Sequence, residues 1–158
     1  RRSGRTPSTS CIESETRPTA HFPRSMSDTR YDLDTGFFFR LFEGGKRARI
    51  VWTALTEDTD ERVVSSVSVY ELQRNALKGL LVRNDVEAFL NEVPHLCTVH
   101  ETLSLDTAQR AVHLGWENGL AMGDALILQA FLEEDVTHIV TTDHDFEAYE
   151  GEPTVEVI

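Results

Sequence analysis

Apolar positions along this chain come in short clusters whose spacing switches between two residues and three to four, and that switching predicts strands alternating with helices. A short strand is predicted over Tyr31–Asp34, leading into an apolar helical segment, Phe37–Phe42. Gly44 and Gly45 break the pattern, and a second helix follows over Arg47–Leu55, with Ile50, Val51, Ala54 and Leu55 on one face. Val63–Val69 is β-branched and serine-rich, which reads as a buried strand. Helices are then expected from Tyr70 to about Leu81 and over Asp85–Val93, the second stopped by Pro94. Leu96–Val99 reads as a short strand. Ser104–Trp116 is amphipathic through Leu105, Ala108, Ala111 and Val112, whereas Asp124–Leu132 is apolar almost all round and reads as a buried helix. Val136–Thr141 is a further strand and Pro153–Ile158 an edge strand. Parallel strands need long crossovers, so this alternation predicts an α/β fold: a mainly parallel central sheet flanked by helices in three layers.

Composition sharpens the organisation. Residues 1–25 are rich in Ser, Thr, Pro and Arg without apolar periodicity, so they are expected to be a disordered extension, with Met26 the expected true start and residues 26–158 one domain. The chain carries 27 Asp and Glu against 15 Lys and Arg, a net charge of −12. Only Lys46 and Lys78 are lysines, and an acidic, lysine-poor surface is the composition expected of a halophilic protein, whose self-repulsion salt screens. Two cysteines, Cys11 and Cys97, cannot staple a disulfide scaffold, and a reduced cytoplasmic setting is the expectation. The most apolar run, Leu120 to Leu132, is interrupted by Asp124 and Gln129 and is shorter than the roughly 20 residues that span a bilayer, so no membrane segment is expected.

Candidate chemistry lies at the strand ends, because in parallel sheets functional groups gather outside the carboxyl edge. Asp34 closes the first strand and Glu71 is expected in the first turn of the helix after the second. Asp143 closes the Val136–Thr141 strand, with Asp145 two residues on. Asp124 opens a helix that starts from the same edge. Four carboxylates in one place repel one another unless a cation neutralises them, and an all-oxygen set suits Mg²⁺ or Mn²⁺. Taken singly, Asp34 and Asp124 also fit plain helix N-caps, Glu71 fits the positive end of a helix, and Asp143 and Asp145 fit turn positions.

Four segments carry a family resemblance: Tyr31–Thr35, Val64–Glu71, Gly123–Ile127 and Val140–Phe146 resemble the four acidic motifs of PIN-domain ribonucleases, in order and in spacing. The likeness covers about Arg30 to Ile158 and is strongest to the compact VapC-type toxins of toxin–antitoxin pairs. It implies a metal-dependent endoribonuclease in which Asp34, Glu71, Asp124 and Asp143 are catalytic and hold the metal, joined by Asp145 and supported by Thr141. It also implies an RNA substrate, a small antitoxin partner and a homodimer formed through helical faces. Phosphate contacts would fall to Arg40, Lys46, Arg47, Arg49, Arg74 and Lys78, with Arg83 nearby in sequence; the same cations also fit solvated surface or an acidic partner. Three alternatives stay open. One is a solitary RNA-processing nuclease. Another is a haloacid-dehalogenase-like phosphatase, since Asp32–Leu33–Asp34–Thr35 supplies the Asp-x-Asp pair of such a motif, with Asp32 as nucleophile and Asp34 as general acid. The third is a non-catalytic PIN-like interaction module.

Overall fold

A computed structural model describes residues 29–57, 60–102 and 104–158; the extension expected over residues 1–25, and Met26, lie outside the described residues. Five strands form one sheet: β1 (Arg30–Leu33), β2 (Glu61–Ser65), β3 (Thr98–His100), β4 (His138–Thr141) and β5 (Thr154–Val157). Their order is β3-β2-β1-β4-β5 and every neighbouring pair is parallel. Six α-helices connect them: α1 (Thr35–Phe42), α2 (Lys46–Glu57), α3 (Ser66–Leu77), α4 (Arg83–Leu96), α5 (Leu105–Asn118) and α6 (Met122–Glu133). A short 3-10 helix, His144–Ala148, lies between β4 and β5.

Residue alternation along the strands builds the three expected layers. Val63 and Val64 are adjacent in β2 and point to opposite faces, as do Ile139 and Val140 in β4. Leu33, Val64 and Val140 join Phe37, Phe38, Leu72 and Val86 in a core beneath α1 to α4. Val63 and Ile139 join Ile127, Leu128, Phe131 and Phe146 in a second core beneath α6 and the 3-10 helix. Because all five strands are parallel, their carboxyl ends share one edge. The chain passes from β1 outward to β2 and β3, then returns to lay β4 on the other side of β1. The connections therefore diverge between β1 and β4, leaving a crevice at that edge.

Several expected boundaries move, each for a physical reason. The strand expected over Val63–Val69 ends at Ser65, because the Ser65 hydroxyl accepts a hydrogen bond from the Val67 amide and caps α3. Ser68, Leu72 and Ala76 then recur at the four-residue spacing of a buried helix stripe. Glu71 consequently sits in the second turn of α3 and not the first. Pro94 does not stop α4: it lies in the last turn, where its missing amide forfeits one bond, and the helix closes through Cys97 N to Val93 O at 2.8 Å. Helix α6 starts at Met122, so Asp124 is a first-turn residue and Ala121 holds the cap position. On α2 the buried residues are Ala48 and Leu55, whereas Ile50 and Ala54 face solvent. On α5 they are Thr107, Ala111 and Gly115, whereas Leu105, Ala108 and Val112 are exposed. No described helix is long and apolar enough to cross a membrane.

Candidate active site

Three neighbouring strands deliver the acids. Asp34 follows β1 directly, Asp143 lies two residues past β4, and Glu71 stands on the helix that leaves β2. Asp34 is nearly fully buried and firmly oriented. Its Oδ1 accepts from the Phe37 amide at 2.6 Å, capping α1, and its Oδ2 accepts from the Thr141 hydroxyl at 2.5 Å across the β1–β4 crevice. Thr141 also accepts from the Asp143 amide at 2.9 Å, so one buried hydroxyl ties the two strand-end acids together. The Asp143 carboxylate in turn accepts from the Asp145 amide at 2.9 Å.

Glu71 and Asp124 close the arrangement from the helices. The Thr35 hydroxyl donates to Glu71 Oε2 at 2.6 Å, linking α1 to α3. A Cβ on Gly123 would lie 3.4 Å from Glu71 Oε1, so the first turn of α6, which carries Asp124, packs directly on Glu71. Gly36 is required for a similar reason: a Cβ there would fall 2.2 Å from the Thr142 hydroxyl oxygen and 3.4 Å from Asp34 Oδ2.

Electrostatics report the crowding. Burial pushes Asp34 up to about 6, against the two hydrogen bonds that favour its ionised form, and the charges of Asp143 and Asp124 push the same way as burial. Asp124 is raised by burial and then by Asp143, Glu71 and Asp145. The structure thus brings together Asp34, Glu71, Asp124, Asp143 and Asp145, with Thr141 between two of them. Among the described residues no three acidic, imidazole or thiol groups converge closely enough to enclose an ion as they stand. The all-oxygen donors and the uncompensated repulsion nevertheless fit a divalent cation, whose charge would draw the carboxylates inward.

Asp32 is different. It is fully buried, neither carboxylate oxygen has a hydrogen bond of normal geometry, and it is raised well above the usual carboxylate value by burial and then by Asp34. A nucleophile must reach its substrate, and this carboxylate does not reach the surface.

The cations separate into groups. Arg40 borders a recess of about 240 Å³ with Gly36, Phe39 and Thr142, beside Asp34, although it also pairs with Glu43 at 3.1 Å. Arg74 is exposed one turn beyond Glu71 on α3. Lys78 lies further along the same axis, about 10 Å past Glu71 at the rise of a helix, and so away from the acids. Arg47 pairs with Glu156 at 3.3 Å and Arg83 with Glu87 at 2.6 Å. Lys46 and Arg49 are exposed on α2. Sequence reasoning missed Thr35, Gly36 and Thr142 as members of the site; their contacts run between distant segments, and only the glycine after Asp34–Thr35 hinted at a close approach.

A family model described as PIN domain matches residues 31–152. No curated protein matches the chain. Solved structures share the fold. VapBC2 from Rickettsia felis, bound to a promoter DNA fragment, aligns with TM-score 0.64 at 17% identity over 82% of this chain and 99% of its own. A toxin–antitoxin complex from Klebsiella pneumoniae aligns with TM-score 0.60 at 24% identity over 80% and 95%. VapC20 from Mycobacterium tuberculosis, a sarcin-ricin loop cleaving toxin, aligns with TM-score 0.62 at 17% identity over 78% and 99%.

Proposed function

The chain belongs to the PIN-domain family, and from that premise we propose that it is a Mg²⁺- or Mn²⁺-dependent endoribonuclease, the toxin of a VapBC-type toxin–antitoxin pair. The observation that carries the reading is the Thr141 bridge, which fixes Asp34 against Asp143 at the β1–β4 crevice while Glu71 and Asp124 close in from α3 and α6. Asp34, Glu71, Asp124 and Asp143 would hold the cation, with Asp145 at its margin. Bound there, a divalent ion supplies Lewis-acid activation of water and neutralises charge on the phosphate. The chain's own residues do the rest. Thr141 and the Phe37 amide hold Asp34 ionised and oriented despite its burial. Thr35 fixes Glu71. Arg40 and Arg74, flanking the acids, receive the phosphates on either side of the cut bond, a local cationic rim on an otherwise acidic body. No side chain is needed as a nucleophile, because the in-line attack is made by water.

The toxin assignment is supported by the toxin–antitoxin structures that share the fold. It brings with it a small antitoxin whose basic side chain would neutralise the acidic crevice, a homodimer and a cytoplasmic setting. The acidic, lysine-poor composition supports working conditions of high salt. Burial of Asp32 counts against the phosphatase, and four intact acids count against a non-catalytic module. The test is cleavage of a structured RNA in concentrated KCl with Mn²⁺ or EDTA. Cutting should need the metal, disappear in Asp34→Asn and survive in Asp32→Asn. Hydrolysis of a phosphomonoester that depends on Asp32, with no RNA cut, would replace this reading. A neighbouring short reading frame encoding a DNA-binding protein with a basic tail separates the toxin from a solitary nuclease.

A further inference from the structure

Beside Asp34 lies a recess of about 240 Å³ whose lining is chemically mixed: Gly36, Phe39, Arg40, Glu43 and Thr142. Two of these residues border the acids as well. A Cβ on Gly36 would lie 3.4 Å from Asp34 Oδ2, and Thr142 immediately precedes Asp143 in the chain. A group held in the recess therefore lies next to whatever the carboxylates act on. Pockets for drug-sized ligands run to about 300–1,000 Å³, so this one suits a smaller body such as a single ring system.

The walls narrow the choice of ring. Phe39 is half-buried: it packs against the core beneath α1 to α4 and lines the recess as well. An accessible aromatic face is a stacking surface for a flat base. Glu43 stands at the C-cap of α1, its amide donating to Phe39 O at 3.0 Å and its Oε2 accepting from Arg40 Nη1 at 3.1 Å. That is a poor place for an acid, because the carbonyl end of a helix is the negative end of its dipole. The pair with Arg40 compensates little, since both side chains are exposed and salt screens them. An acid kept where the local rules disfavour it is expected at a functional position. A carboxylate also repels phosphate and only accepts hydrogen bonds, so Glu43 marks a point where the substrate turns N–H donors toward the protein.

We propose that this recess takes one nucleobase beside the cut bond and selects guanine, the ring stacked on Phe39 and the Glu43 carboxylate accepting from N1–H and N2–H. The base site rests on the ribonuclease reading for its substrate and adds to it the identity of a base. Guanine alone among the RNA bases offers two adjacent N–H donors, one for each oxygen of a carboxylate. Adenine, cytosine and uracil each place an acceptor beside the donor, which sets a lone pair against Glu43. Selection thus comes from attraction to one base and repulsion of the others. Arg40 spends one donor on Glu43 and has others to spare. They meet guanine O6, which adjoins N1 on the same edge, and still face the neighbouring phosphate.

The experiment is equilibrium dialysis of the full chain, in KCl with Mn²⁺, against the 3′,5′-bisphosphates of guanosine, adenosine, cytidine and uridine. All four carry the same phosphates and none has a phosphodiester bond to cut, so differences in affinity read the base alone. The guanosine compound should bind about tenfold or more tighter than the other three, the scale of one bidentate base contact. Glu43→Gln, with unchanged circular dichroism, should erase that preference. Phe39→Leu should weaken all four together. Glu87→Gln, altered in a comparable exposed pair on α4, should keep the preference. Equal affinity for the four, no binding of any, or a guanosine preference that survives in Glu43→Gln overturns the proposal. Metal-dependent RNA cutting without a guanosine preference refutes the base site and leaves the ribonuclease reading standing. A Glu43-dependent preference without any RNA cutting does the reverse.

Discussion

Changing Asp34 to Asn removes a charge that the fold strains to hold, and the metal-free protein should gain stability at neutral pH as a result. The carboxyl titrates at about 6 in the fold against 3.8 when exposed. A shift of that size corresponds to about 3 kcal/mol of penalty once the group is ionised. The native state binds the proton more tightly than the unfolded chain, so stability falls as pH rises from about 4 to about 6 and stays at its lower level above that. Asn still caps a helix nearly as well as Asp, but the bonds from the Phe37 amide and Thr141 weaken, at a cost of about 1 kcal/mol or somewhat more. The net gain is about 1 to 2 kcal/mol at pH 7.5. Urea unfolding in EDTA at constant KCl measures it, with the variant's midpoint above the wild type's at pH 7.5 and the gap narrowing toward pH 4. Mn²⁺ should narrow or reverse the ranking, because the wild type gains more from binding it. A variant less stable than the wild type at pH 7.5 in EDTA, or a gap that does not change with pH, would refute the reasoning.

Other perturbations follow from the same geometry. Gly36→Ala forces a methyl onto the Thr142 hydroxyl and should cost about 1 to 3 kcal/mol, whereas the double variant with Thr142→Ala should recover most of that in a double-mutant cycle. Thr141→Val deletes the hydroxyl that favours ionised Asp34, so the acid limb of the cleavage–pH profile should move to higher pH; an unmoved limb contradicts the role given to Thr141. Asp32→Asn removes a buried acid raised by desolvation, and it should raise the urea midpoint at pH 7.5 and flatten the decline in stability above pH 4. RNA cleavage by that variant should be unchanged.

Asp34, Asp124 and Asp143 were legible as candidates in the sequence because each sits where a local pattern ends: Asp34 and Asp143 after strand runs, Asp124 at the start of an apolar helix, whereas Glu71 was expected one turn too early on its helix. The edge strand near the C-terminus was legible too, and β5 pairs with β4 from His138↔Thr154 to Thr141↔Val157. The boundary at Ser65 was not. Alternating Val and Ser over residues 63–69 fits a strand locally, and only the longer Ser68–Leu72–Ala76 stripe reveals the helix. Nor could periodicity say what an apolar face meets: Leu105 and Val112 are correctly spaced on α5, yet nothing in the described residues covers them. Thr35 and Thr142 stayed invisible because Thr35 reaches Glu71 and Gly36 meets Thr142 across long sequence separations.

The central claim is that Asp34, Glu71, Asp124 and Asp143 form one cation site, and Mn²⁺ titration followed by electron paramagnetic resonance tests it most directly. The account predicts saturable binding to the wild type, and a loss of at least about tenfold in affinity on neutralising any one of the four, Glu71→Gln included. Asp32→Asn should bind like the wild type. Affinity that is the same in the wild type and in all four variants would contradict the account.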